Sequence, residues 1–88
     1  MATVTLRAPL RDRAGGEAQH QLPGSTVGEV IRELERRHPR IAGWILDDQG
    51  KVRSHVNVFV NGELIREDAA LAGDDVVHVL PSISGGSA

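Results

Sequence analysis

The side chains of this sequence that could do chemistry by themselves are few and poorly placed for it. There is no cysteine, so disulfides, thiolate nucleophiles and cysteine metal sites are excluded. The histidines are His20, His38, His55 and His78, and no two of them have the i,i+4 spacing that would put a metal-binding pair on one helix face. No metal site is expected, and His78 reads as a polar strand residue. Asp47-Asp48 and Asp74-Asp75 read as solvated turn residues, because the rest of a calcium-loop pattern is missing. Arg36, Arg37 and Arg40 read as a solvated helix end able to meet an acidic partner. What remains is a glycine pair, Gly85-Gly86, just past the last apolar stretch and followed by Ser87 and Ala88. Glycines lack a Cβ, so a tail ending in two of them can pass a channel too narrow for other residues. Residues 81–86 span roughly 20 Å when extended, enough to enter a partner's interior while the rest of the chain stays outside.

The elements that must carry this tail are legible from periodicity. Residues 3–8 alternate, with Val4 and Leu6 on one face, as in a half-buried strand. A polar stretch ending in Gly15-Gly16 is a turn, and 17–22 is a second strand closing a hairpin. Thr26 followed by Glu29 has capping-box spacing, and Val27, Val30, Ile31 and Leu34 make one apolar helical stripe. Arg36, Arg37 and His38 suit the negative end of that helix, and Pro39 ends it, giving a helix over 27–37. Residues 41–46 are expected to form one helical turn that includes Trp44 as a packing residue, and 47–53 a loop. Val56, Val58 and Val60 share one face of a strand over 55–60. Asn61-Gly62 is a strong hairpin signal because both positions tolerate positive φ. Strands over 63–66 and 76–80 follow, with a turn at Gly73-Asp74 between them. The expected class is α+β, with one main helix on one face of the sheet. Residues 1–80 form the domain, and 81–88 a mobile tail.

If the strands alternate as read, Phe59 and Leu80 lie on the face opposite the helix, with Val76 and His78 beside them. Phe59, His78 and Leu80, with Pro81 and Ile83, form the expected partner-binding surface; the competing expectation is that 41–46 or a loop covers Phe59. The bulk properties limit the partners. With 88 residues and a formal net charge of -2, the chain is one domain without the basic face a nucleic-acid binder needs. Trp44 and Phe59 are its only aromatics, too few for base-stacking platforms. No signal peptide or membrane-length apolar run is present, so the chain is expected in the cytoplasm.

Four segments, taken together and in this order, carry a resemblance. They are Ser25-Thr26-Val27-Gly28-Glu29-Val30, Val56-Asn57-Val58-Phe59-Val60-Asn61-Gly62-Glu63, Leu71-Ala72-Gly73-Asp74-Asp75-Val76 and Leu80-Pro81-Ser82-Ile83-Ser84-Gly85-Gly86. With them the chain resembles, over nearly its whole length, the ubiquitin-like sulfur carriers that include MoaD, ThiS and CysO, most of all the CysO type. The resemblance implies a β-grasp fold: a mixed sheet of about five strands, the first and last parallel and central, and one main helix.

It also implies a function. The carboxylate of Gly86 is adenylated by an ATP-using activating enzyme, and sulfur from a sulfurtransferase or sulfide source converts it to a thiocarboxylate. A biosynthetic enzyme then accepts the sulfur, in cysteine synthesis if the CysO likeness holds. On this reading the chain is not an enzyme and holds no permanent cofactor. Ser87 and Ala88 depart from the family pattern, displacing the free carboxylate by roughly 7 Å. Cleavage of the Gly86–Ser87 bond by a JAMM-type zinc metalloprotease, the partner of CysO-type systems, would restore it. Other outcomes stay open: the small subunit of molybdopterin synthase, a carrier for a sulfur-containing natural product, a ubiquitin-like protein modifier, or a plain interaction module. Lys51 is the only lysine, which argues against polymeric conjugates.

Overall fold

A computed structural model describes residues 1–65 and 67–81. Strand β1 (Ala2–Leu6) buries Ala2, Val4 and Leu6 and leaves Thr3 and Thr5 half-buried, the alternation of a strand with one face on a core. It pairs antiparallel with β2 (Gln19–Leu22), which turns His20 and Leu22 inward. Between them the expected turn contains a four-residue helix, α1 (Leu10–Arg13), with Leu10 and the following Ala14 buried.

The main helix, α2 (Val27–Arg37), has the expected limits and buries Val27, Val30, Ile31 and Leu34. Its first turn is closed three times over. Thr26 Oγ1 accepts from the Glu29 N–H at 3.2 Å, and the Glu29 carboxylate reaches back to the Ser25 N–H at 2.7 Å. From 40 residues away, Asp68 Oδ1 accepts from the Gly28 N–H at 2.8 Å. These bonds satisfy amides that have no partner inside the helix, and a carboxylate there also meets the positive end of the helix dipole. A 3-10 turn follows at Pro39–Ile41, earlier than the helical turn expected over 41–46. After it Ile45 and Leu46 are buried, with Leu46 bridged to Val52. Trp44, expected as a packing residue, is 40% exposed.

Strands β3 (Val56–Val60), β4 (Glu63–Ile65) and β5 (Val76–Pro81) complete a five-stranded sheet in the order β2-β1-β5-β3-β4. The first and last strands are parallel neighbours at its centre, with Thr3 opposite Val76 and Leu6 opposite Val79. All other pairs are antiparallel. The β3–β4 turn has φ of 50° at Asn61 and 88° at Gly62, as a two-residue hairpin of matching twist requires. The α2 stripe, the inward sheet residues Val4, Leu6, Val56, Val58, Val77 and Val79, and Ile41, Ile45 and Leu46 form one core, with Val60 partly buried against it. This is the β-grasp arrangement. No helix among the described residues is long and apolar enough to cross a membrane.

Candidate functional site: the outer sheet face and the end of β5

Strand β5 has neighbours on both sides, so its alternation fixes which residues point away from the helix. Val77 and Val79 are buried beneath α2, and Val76, His78 and Leu80 take the outer face, all half-buried. The registers then place Phe59 opposite His78 and Asn57 opposite Leu80. Thr5 also lies opposite His78, and Leu64 opposite Phe59. Thr5, His78, Phe59 and Leu64 thus form one row across four strands, with Leu80 in the next. Phe59, His78 and Leu80 are brought together as the alternation indicated. Leu64, 42% exposed, was missed, although the register of an Asn-Gly hairpin puts its side chain beside Phe59. The 41–46 segment does not cover Phe59, because Ile41, Ile45 and Leu46 enter the core on the helix side.

Both ends of β5 are defined. At its start, Asn61 Oδ1 accepts from the Val76 N–H at 3.0 Å, while Asn61 Nδ2 donates to Asp75 Oδ1 at 3.0 Å. Asp75 Oδ2 accepts from the Ala72 N–H at 2.8 Å. The Asn61 bond, followed by the Ala72 bond, holds the Asp75 carboxyl below its ordinary range, since both favour the ionised form. At the other end Pro81 is the last strand residue, opposite Val56. β1 has already ended at Leu6 opposite Val79, so the missing N–H of Pro81 leaves no β1 partner unmatched. Pro81, expected as the first residue of the tail, belongs instead to β5, paired with Val56; Ile83, Gly85, Gly86 and Ser87, with the rest of the expected tail, lie outside the described residues.

The row carries no ion pair among the described residues; those present are Arg11 with Asp12 and Glu33 with Arg36 and Arg37. His20 and His38 come together, ring centroids 5.1 Å apart, and His20 Nε2 lies 2.8 Å from the Glu17 carbonyl oxygen. No three potential metal-binding side chains converge among the described residues. A cleft of about 420 Å³ opens between the start of α2 and the loops around Val52 and Asp68; none of the expected site residues lines it.

With this geometry the known proteins can be compared. The ThiS family model matches residues 4–86. A sulfur carrier protein CysO of Mycobacterium tuberculosis is 34% identical over 90 residues, covering 96% of this chain and 97% of that one. Small archaeal modifier protein 3 of Haloferax volcanii is 42% identical over 66 residues, covering 70% of this chain and 71% of that one. Among solved structures, the Amycolatopsis orientalis BexX/CysO complex contains a chain that superposes with a TM-score of 0.86 at 31% identity, covering 94% of this chain and 97% of that one.

Proposed function

Because this chain belongs to the ThiS family, we propose that it is a sulfur carrier whose working group is the Gly86 carboxylate. It is a protein co-substrate and not an enzyme. The observation that carries this reading is the reach of the family match, which ends on Gly86 and leaves Ser87 and Ala88 outside. In the proposed sequence an activating enzyme transfers AMP from ATP to the carboxylate, releasing pyrophosphate. Sulfide then attacks the acyl carbon and AMP leaves with the bonding electrons; where the nucleophile is a sulfurtransferase persulfide, the acyl disulfide so formed is cleaved by a second thiol, which leaves as a disulfide with the sulfurtransferase. This splits one difficult substitution into two easier ones and yields a C-terminal thiocarboxylate.

The domain's own contribution is to dock and to aim. The Phe59, His78 and Leu80 surface meets the partner, Ile83 anchors the tail, and β5 sends the chain from the edge of that surface through Pro81. The binary complex known for the Amycolatopsis orientalis CysO supports docking as a folded unit. Hydrolysis of the Gly86–Ser87 peptide bond by a JAMM-type zinc metalloprotease precedes activation. The likeness to CysO over nearly the whole chain favours an accepting enzyme of cysteine synthesis over molybdopterin synthase or a natural-product pathway. The first test is the intact mass of the chain from its native host, before and after a thiol-directed alkylating probe. Loss of Ser87 and Ala88, an oxygen-to-sulfur mass change and labelling of a cysteine-free chain are expected. An unlabelled chain still ending at Ala88, in the presence of the host's protease and activating enzyme, overturns the reading.

The relative at 42% identity is named a modifier, which favours one second reading: transfer of the Gly86 acyl group to a lysine of another protein. Lysine-linked adducts formed in a lysate with the activating enzyme would select it.

A further inference from the structure

Trp44 is the one tryptophan of the chain, and the loop holding it is braced from several sides. Ile41 and Ile45, three residues before and one after, are fully buried. The Trp44 N–H donates to the Ile41 carbonyl at 3.0 Å. Arg53 Nε donates to the Gly43 carbonyl, and the Arg53 N–H to the Ile45 carbonyl at 2.9 Å. Gly43 takes φ of 84°, which costs glycine little and other residues more. A loop fixed this firmly would ordinarily bury a tryptophan; here the indole is left 40% exposed. Arg13, from α1, lies over it with its guanidinium carbon 3.7 Å from the ring centroid.

We propose that Trp44, Arg13, Arg40 and Arg53 form a second docking surface, for an acidic segment of a partner protein. Tryptophan and arginine are the residue types most enriched where binding energy concentrates. A guanidinium resting on an aromatic ring is held in place with N–H donors at its edge, the fork that grips a carboxylate in two bonds. Arg13, Arg40 and Arg53 make no ion pair among the described residues. Of the carboxylates beside them, Asp12 pairs with Arg11, and Asp47 accepts from the Gln49 and Lys51 N–H groups while also feeling the charge of Arg53. Three arginines set against the Asp47 charge leave the patch with a positive excess in a chain of net charge -2, and its charge complement is acidic. It belongs to the helix layer, with Ile41 and Ile45 in the core behind it, while the Phe59 row lies on the other face of the sheet. A partner held at Trp44 leaves that row free for another, and the proposal does not depend on what the chain end carries.

Trp44 emission reports this surface directly. The probe is a capped octapeptide of aspartates and glutamates with one central leucine, and the control is the same peptide with lysines for the acids. The acidic peptide is expected to change the emission saturably, more weakly as salt is raised, and the lysine peptide not at all. Arg13→Gln is expected to weaken binding about tenfold, the loss of one charge-assisted contact. Lys51→Gln removes the same charge away from the patch and should weaken it less than about twofold. If Arg13→Gln does not fold, Arg40→Gln, at an exposed residue of the 3-10 turn, replaces it in the same comparison. No saturable change with the unaltered chain up to millimolar peptide overturns the proposal. So does equal weakening by the patch variant and Lys51→Gln.

Discussion

Strand β5 and the segment between the 3-10 turn and β3 approach each other where Pro81 faces Val56, and they are held by different forces. β5 is locked by ladders on both sides, a regular pattern to which its side chains contribute mainly by alternation. The 42–55 segment has almost no ladder. Brackets fix it instead: Asp47 Oδ1 accepting from the Gln49 and Lys51 N–H groups, Arg53 reaching the Gly43 carbonyl, and apolar pegs at Ile45 and Leu46. A ladder survives most exposed substitutions because its bonds are main-chain. A bracketed loop depends on a few named side chains, and changing one should loosen its neighbours.

The largest effect expected from breaking this contrast is at Ile45. Ile45→Ala removes a fully buried peg and should cost about 2–5 kcal/mol in urea unfolding; a loss below about 1 kcal/mol would mean that the segment is decoration on the core. On the ladder side, Asn61 both starts the turn at φ of 50° and bonds Val76 and Asp75. Asn61→Ala should cost about 1–3 kcal/mol, from strained backbone and unpaired polar groups together. Asn61→Gly relieves the backbone part alone, so its smaller cost isolates the staple. Thr26→Ala removes the α2 cap and should cost about 1 kcal/mol.

The smallest effect is electrostatic. Bonds from Arg36 and then Arg37 lower the Glu33 carboxyl from 4.5 to about 2. A depressed carboxyl contributes stability that is present above its unfolded value and lost as pH falls toward 2. Glu33→Gln should therefore slightly flatten the fall in melting temperature between pH 4.5 and 2, an effect that added salt reduces further because the group is exposed. Glu35 has the opposite sign: burial raises its carboxyl, against the Gly43 bond and the Arg32 charge. Its contribution is present at low pH and lost as pH rises through its folded value.

The same contrast sorts what was legible in the sequence. Regular elements repeat their instructions, so the α2 stripe, the alternation of β3 and β5, and the Asn61-Gly62 turn could be read residue by residue. The outer row of Phe59, His78 and Leu80 followed from that alternation. Parallel pairing of β1 with β5 did not, because periodicity says which face a residue takes and not which strand lies beside it; it came from the resemblance. α1 escaped because four residues with one buried leucine make no period. Trp44 was misplaced because its environment depends on Arg13, a residue of another element 31 positions earlier. The Asp68 cap on α2 escaped for the same reason, its partner being 40 positions away.

The placement of β5 also ties the chain's usefulness to its integrity. The middle of the sheet is the last strand to be made, so a chain interrupted anywhere before Val76 lacks its central strand as well as Gly86. A chain that has been completed but has not closed its sheet does not present Phe59 beside His78. Partners that recognise surface and chain end together would thus act on finished, folded copies and pass over fragments.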